Sequence, residues 1–105
     1  MAVIIGTDAD IEQTLEKSEK VIVKYFADWC GSCKLIAPKF KRLSNDEQFA
    51  GITFLEINAE ENEIARKMAN VDNLPYFATF KNGAFSKGSA TSKEEVIVTM
   101  LNDLK

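Results

Sequence analysis

Short apolar runs rich in β-branched and aromatic residues recur along the chain, separated by longer polar stretches. Runs of this kind are typical of buried strands. The run VIVKYF at residues 21–26 is apolar enough to predict a strand that is covered on both faces. Strands are predicted in this way at residues 3–5, 21–26, 52–57, 76–80 and 84–86.

Between these runs, hydrophobic residues recur every three or four positions, which places them on one face of a helix. Capping-box sequences at residues 7–10 and 92–95 predict where the first and last helices begin. Pro38 lies inside the second helix and should kink it, because proline removes a backbone donor and clashes with the preceding turn. The apolar positions of the four helices are Ile11 and Leu15, then Leu35, Ile36, Phe40 and Leu43, then Ile64, Ala65 and Met68, then Val96, Ile97, Met100, Leu101 and Leu104.

The predicted elements follow one another in the order βαβαβαββα. Helices between the first four strands favour a mostly parallel sheet with helices on both faces, which is the α/β class. Asn82-Gly83 is a strong two-residue turn sequence and predicts a closing hairpin with an antiparallel edge strand. This pattern leaves the order of the strands open. A length of 105 residues, with no linker, repeat or low-complexity segment, predicts one domain over residues 1–105.

Composition narrows the choice of partners and location. Thirteen basic and sixteen acidic residues give a net charge of −3, which disfavours nucleic acid and anionic membranes as partners. No apolar stretch approaches the length of a membrane span, and residues 1–6 lack the basic start of a signal peptide. We therefore expect a cytoplasmic protein, and its short edge strands and mild charge favour a monomer.

The chain has two cysteines, Cys30 and Cys33, and they lie where the second predicted strand gives way to a helix. Free backbone N–H groups and the helix dipole stabilise an anion at such a position, and a thiolate is an anion. Cys30 is therefore the predicted attacking thiol. Cys33 follows one helical turn later, where it can resolve the mixed disulfide that the attack forms.

Three other interpretations of this cysteine spacing are weaker. A zinc site needs four ligands, and the chain has neither a further cysteine nor any histidine. A c-type haem attachment needs histidine where Lys34 stands. A structural disulfide is usual in domains denser in cysteine, and a bridge that closes so short a loop adds little stability. We therefore expect a redox-active disulfide, with no metal and no bound organic cofactor.

Two charged residues interrupt the apolar runs that predict central strands. Lys24 lies in the middle of the second predicted strand, and Glu56 lies near the end of the third. An unpaired charge buried in a sheet costs several kcal/mol, so we predict that the two side chains pair beneath the loop of Cys30 and Cys33. The alternative is that Lys24 extends to the surface and Glu56 is solvated at its strand end.

The segment FADWCGSCK at residues 26–34, with Ala37-Pro38 following, resembles the active-site segment of the thioredoxin family. Leu74-Pro75 is similar to that family's cis-proline loop, and the run at residues 80–83 is similar to its last hairpin turn. The resemblance extends over essentially the whole chain in the same order. It implies the thioredoxin fold, with a central mixed five-stranded sheet flanked by four helices.

The resemblance implies a protein dithiol–disulfide oxidoreductase that reduces protein disulfides through Cys30, Gly31, Ser32 and Cys33. An NADPH-dependent thioredoxin reductase would return the electrons. Ser32 stands where the family usually has proline, which leaves the reduction potential open. A disulfide oxidant or isomerase is one alternative. A non-catalytic binding module is another, although the retention of both cysteines argues against it.

The same resemblance places substrate-binding groups beside the cysteines, with Gly31 and Ser32 between them. Leu74 and Pro75 would offer main-chain groups to an extended substrate segment, and Trp29 would flank the groove. Tyr76 is bulkier than the residue that usually follows the family's proline, which predicts a narrower choice of substrate.

The charged pair departs from the family pattern. Thioredoxins typically carry a buried aspartate at the position of Lys24, which is credited with taking the proton of the resolving thiol, and a lysine at the position of Glu56. Two mechanisms are open for the reversed pair. Glu56 could supply the carboxylate while Lys24 orients it, or Lys24 could stabilise the thiolate by its charge or act as the base itself.

Overall fold

A computed structural model describes residues 3–105 and shows a central sheet with helices packed on both faces. Residues 1 and 2, which the predicted domain includes, lie outside the described residues. The strands are β1 (Ile4–Ile5), β2 (Lys20–Phe26), β3 (Thr53–Asn58), β4 (Tyr76–Lys81) and β5 (Ala84–Ala90). The helices are α1 (Ile11–Lys17), α2 (Gly31–Ser44), α3 (Glu63–Met68) and α4 (Glu94–Leu104), with a 3-10 turn at Glu47–Phe49 that the sequence pattern did not predict. The predicted order βαβαβαββα is confirmed over these residues.

The sheet has the strand order β1-β3-β2-β4-β5. Strands β1, β3 and β2 are parallel, whereas β4 is antiparallel to β2 and β5 is antiparallel to β4. The alternation of strands and helices predicted a mostly parallel sheet with an antiparallel edge, and the antiparallel pairings of both β4 and β5 make it the mixed sheet that the resemblance implied. The short α3 and the loop after it return the chain to the end of the sheet where β3 finishes, so Tyr25 lies beside both Ile57 and Tyr76.

The two faces of β2 build two separate hydrophobic cores. Val23 and Tyr25 face the core formed with α1 and α3, while Ile22 faces the core formed with α2 and α4. The predicted burial of this strand on both faces is therefore confirmed. Most of the predicted helix positions also lie in these cores, but Leu35 is 76% exposed and Ile64 is 57% exposed. Each lies beside the buried face of its own helix, which is too narrow to include it.

The predicted capping boxes form only in part. The carboxylate of Asp10 accepts the N–H of Thr7 at 2.8 Å, which is one of the two reciprocal bonds before α1. Before α4, the predicted cap at Ser92 is wrong. The Thr91 hydroxyl accepts the N–H of Lys93 at 3.0 Å, and Lys93 is the N-cap residue without a capping bond from its own side chain.

The closing hairpin turns at Asn82 and Gly83, as predicted. Both residues have positive φ, 53° and 83°, which is the conformation of a tight turn that matches the twist of the two strands. The final strand is longer than predicted, because it continues to Ala90 past an irregularity opposite Thr79 and Phe80. Helix α2 continues on both sides of Pro38, and the kink stays a prediction.

Phe40→Ala should lower the free energy of unfolding by about 3–5 kcal/mol, because it removes a fully buried ring that packs on Phe54 and Phe77. Leu35→Ala on the same helix is the matched control. It should change the free energy of unfolding by less than about 0.5 kcal/mol, since Leu35 lies on the exposed face. Urea unfolding followed by circular dichroism measures both, and equal losses would contradict the assignment of the helix face.

Candidate active site

The two cysteines lie at the junction of β2 and α2, as predicted, and are joined in a disulfide with a Cα–Cα distance of 5.2 Å. Cys30 is the N-cap residue of α2, and its Sγ accepts the backbone N–H of Cys33 at 3.1 Å. Both side chains are nearly buried, with 4% and 3% of their surface exposed. The first sulfur therefore receives the hydrogen bond and the positive dipole end that stabilise a thiolate.

The indole of Trp29 lies beside this junction and is 68% exposed. Its Nε1 donates a hydrogen bond to the Glu60 carboxylate at 2.8 Å. This bond joins the loop after β2 to the loop after β3, because Glu60 lies two residues past the end of β3. The role of Glu60 could not be predicted from the sequence, since the two partners are 31 positions apart and no local pattern connects them.

The peptide bond between Leu74 and Pro75 is cis. Leu74 packs against the small cluster formed by Ala27 and the two cysteines. The predicted approach of this loop to the disulfide is therefore confirmed for Leu74. The carbonyl of Pro75 accepts the N–H of Thr91 at 3.1 Å, which fixes the loop to the end of β5.

Lys24 and Glu56 are directly opposite each other in the parallel pairing of β2 and β3. The Lys24 Nζ lies 3.3 Å from a Glu56 carboxylate oxygen, so the predicted ion pair is confirmed and the alternative of a surface-directed lysine is wrong. The Lys24 side chain is 5% exposed and the Glu56 side chain is 30% exposed. The ammonium also lies 5.5 Å and 5.7 Å from the ring centres of Phe26 and Phe40, within the range of cation–π attraction.

A cavity of about 240 Å³ connects this ion pair to the active-site disulfide. Lys24, Glu56 and Cys33 all line it. A neighbouring cleft of about 700 Å³ is also lined by Lys24 and Glu56, together with Lys34 and Lys41. The ion pair therefore borders both the cavity that Cys33 lines and the larger cleft.

Within residues 3–105, no three histidine, cysteine, aspartate or glutamate side chains lie together in an arrangement that could hold a metal ion. None of the helices in this range is both long enough and apolar enough to span a membrane.

Comparison with known proteins identifies the family and the fold. A family model described as Thioredoxin matches residues 2–103. The chain belongs to the thioredoxin family. Thioredoxin Asp f 29 of Aspergillus fumigatus is 44% identical over 80 residues, which cover 73% of this chain and 72% of that protein. Thioredoxin 1 of Plasmodium falciparum is 31% identical over 84 residues, which cover 80% of this chain and 79% of that protein.

Solved thioredoxin structures match the whole architecture. The structure of Plasmodium falciparum thioredoxin superposes with a TM-score of 0.90 at 26% identity and covers 98% of this chain and 100% of that one. Fasciola hepatica thioredoxin gives a TM-score of 0.88 at 25% identity with the same coverage of both chains. The predicted thioredoxin fold is thereby confirmed.

As a thioredoxin-family member with the Cys30–Cys33 pair, the protein is a dithiol–disulfide oxidoreductase that acts on protein disulfides. The family generally needs no cofactor beyond this redox-active disulfide. Two features of the site depart from the pattern that the resemblance implies: Ser32 between the cysteines, and the charges of Lys24 and Glu56.

Tyr76, which follows Pro75, lies between β2 and β5. Its ring packs edge-on against Tyr25, with the ring centres 6.2 Å apart. Burial raises the pKa of the Tyr76 hydroxyl, and the charge of Asp72 raises it further. A Cβ atom at position 88 would overlap this hydroxyl, so Gly88 leaves the space that the tyrosine occupies. The predicted effect of Tyr76 on substrate choice stays a prediction.

Gly88→Ala should lower the free energy of unfolding by about 1–3 kcal/mol, because the new methyl group overlaps the Tyr76 side chain. The same substitution in a Tyr76→Ala background is the control. There the overlap is gone, and alanine should be neutral or slightly stabilising because it restricts the unfolded chain. Urea unfolding of the unsubstituted protein, the two single variants and the double variant measures the coupling between positions 76 and 88. An equal loss of unfolding free energy in both backgrounds would contradict the packing described.

Proposed function

We propose that this oxidoreductase works as a reductase of protein disulfides, with Cys30 as the nucleophile. The observation that carries the assignment of roles is the position of the Cys30 sulfur at the N-terminus of α2, where it accepts the Cys33 N–H at 3.1 Å. The first turn of a helix stabilises negative charge on that sulfur, and the thiolate is the form that attacks a disulfide.

The reaction starts from the reduced dithiol. The Cys30 thiolate attacks one sulfur of the substrate disulfide, forms a mixed disulfide and releases the other substrate sulfur as a thiolate, which takes a proton from water. Cys33 then attacks the Cys30 sulfur and releases the second substrate sulfur in the same way. Two electrons pass to the substrate, and the Cys30–Cys33 disulfide seen in the structure is the product.

The surface around the disulfide offers the groups for substrate binding. Leu74 is in contact with the cysteine cluster, and its N–H is bonded only to the side chain of the adjacent Asn73, at 3.0 Å, in the described part of the chain. An extended substrate segment can displace the exposed side chain of Asn73 and pair with the Leu74 main chain. Pro75 fixes the loop, and Trp29 flanks it.

Gly31 and Ser32 form the exposed first turn of α2 between the two cysteines. A substrate whose sulfur reaches Cys30 passes over this turn. The small size of both residues leaves room for the substrate to approach. The Ser32 hydroxyl adds a hydrogen-bonding group that proline lacks.

An NADPH-dependent thioredoxin reductase, the typical partner in this family, would regenerate the dithiol. We place the protein in the cytoplasm, where thiols are held reduced, and propose that it acts as a monomer. The low cysteine content supports this location, because a chain with two cysteines relies on no disulfide framework.

Cys30→Ser should abolish the reduction of a model disulfide protein such as insulin, because the attacking sulfur is lost. Cys33→Ser is the matched variant, and it should still attack but stop at the mixed disulfide, which non-reducing gels and mass spectrometry detect. Turnover by Cys30→Ser at the unmodified rate would overturn the assignment. Unchanged binding of a partner protein by Cys30→Ser, with no reductase activity in the unmodified chain, would instead support a binding module.

A further inference from the structure

The ammonium of Lys24 is a buried charge with few partners. Its side chain is 5% exposed, and its ion-pair partner within residues 3–105 is Glu56 at 3.3 Å. The other groups close to Nζ are the faces of two aromatic rings, Phe26 and Phe40. Because Glu56 is 30% exposed, solvent screens the carboxylate more than the ammonium. The positive charge of Lys24 is therefore the less screened member of the pair.

The cavity of about 240 Å³ is where this charge meets the active site, since Lys24 and Cys33 both line it. Four charged side chains surround the cavity: Lys24 from β2, Asp28 from the following loop, Lys34 from α2 and Glu56 from β3. Asp28 and Lys34 are exposed, and solvent screens their fields. Lys24 is the charge that faces Cys33 from a buried position.

The two sulfurs differ in what stabilises them as thiolates. The Cys30 sulfur has the helix N-terminus and the Cys33 N–H. Cys33 is 3% exposed within the first turn, and its own N–H is directed to the other sulfur. Apolar burial disfavours a thiolate, yet Cys33 must become one to resolve the mixed disulfide. A nearby cation supplies the missing stabilisation.

We propose that the buried ammonium of Lys24 stabilises the Cys33 thiolate in the cavity that both residues line during the resolving step, and that the pairing of β2 with β3 and β4 holds Lys24 in position. This inference deepens the proposed function and rests on it. Lys24 touches neither the substrate nor the bond that breaks. It acts through Cys33, whose thiolate its charge stabilises, and is therefore a positioning residue.

The step balances without transfer of a proton to Lys24. In the mixed disulfide, the Cys33 thiol gives its proton to water in the cavity, and the thiolate attacks the Cys30 sulfur. The bond between Cys30 and the substrate sulfur breaks as the Cys30–Cys33 bond forms. The substrate sulfur leaves with the electron pair of the broken bond and is protonated by solvent.

The rival mechanism makes Glu56 the base that takes the Cys33 proton. The two mechanisms predict opposite effects for the two members of the pair. Loss of the Lys24 charge should make Cys33 harder to ionise if the ammonium acts on it directly. Loss of the Glu56 charge should then leave ionisation as easy as before, or easier, because the cation keeps its place in the sheet without a competing anion.

The test is a pH titration of Cys33 in a Cys30→Ser background, with the ultraviolet absorbance of the thiolate as the readout. Lys24→Met should raise the midpoint by about one pH unit or more, which is about a tenfold change in ionisation. Glu56→Gln should leave the midpoint unchanged or lower it. No shift in Lys24→Met, or an equal rise in Glu56→Gln, would overturn the proposal.

The double variant Lys24→Met/Glu56→Gln is the control for destabilisation by an unpaired buried charge, because it removes both charges together. Its midpoint should lie above that of the unsubstituted background and no higher than that of Lys24→Met, and a midpoint equal to that of the unsubstituted background would overturn the proposal. Near-ultraviolet circular dichroism confirms the fold of each protein.

Rapid-quench measurements with both cysteines present give the consequence for catalysis. Lys24→Met should slow the decay of the mixed disulfide by about tenfold and leave its formation by Cys30 unchanged. An equal slowing of both steps would contradict an effect on Cys33. Failure of the unsubstituted chain to reduce any protein disulfide would overturn the proposed function alone, since the titration of Cys33 does not depend on turnover.

Discussion

The hydrogen-bonded register of β2 with its two neighbours positions every part of the site. Pairing with β3 sets Lys24 opposite Glu56, and pairing with β4 sets Tyr25 opposite Tyr76, the residue after the cis peptide bond. The last residues of β2 lead directly into the loop before Cys30, and the N–H of Ala59 bonds to the carbonyl of Phe26 at 2.8 Å. A shift of one residue in this register would direct the Lys24 side chain to the other face of the sheet, into the opposite hydrophobic core. It would also separate the ion pair from the cysteines.

The ion pair of Lys24 and Glu56 places a buried cation and a partly exposed carboxylate in the sheet, and both line the cavity that reaches Cys33. A buried pair is costly to desolvate, and removing one partner leaves an unpaired charge. The structure limits that cost by keeping Glu56 partly exposed and by placing two aromatic rings around the ammonium. The arrangement retains a charge next to the resolving sulfur but presents a cation where the family typically has a carboxylate.

Much of this architecture could be predicted from the sequence, because periodicity reports which positions are buried. The order of elements, the helix face carrying Phe40, the cysteine pair and the Lys24–Glu56 contact all follow from local patterns and the cost of burying charge. The direction of β4 could not be predicted, since it depends on the path of a loop. Contacts between distant segments were also missed, such as the Asp8 carboxylate that accepts the N–H of Ala65 at 2.8 Å, 57 residues away.

The most direct test of the whole account is the reduction potential of the Cys30–Cys33 pair, measured by equilibration with glutathione or a dithiol buffer. A disulfide reductase requires a dithiol that gives up electrons readily, so we expect a reduction potential of about −270 mV, as in thioredoxin. A value between about −180 and −120 mV, as in disulfide isomerases and oxidants, would contradict the assignment as a reductase.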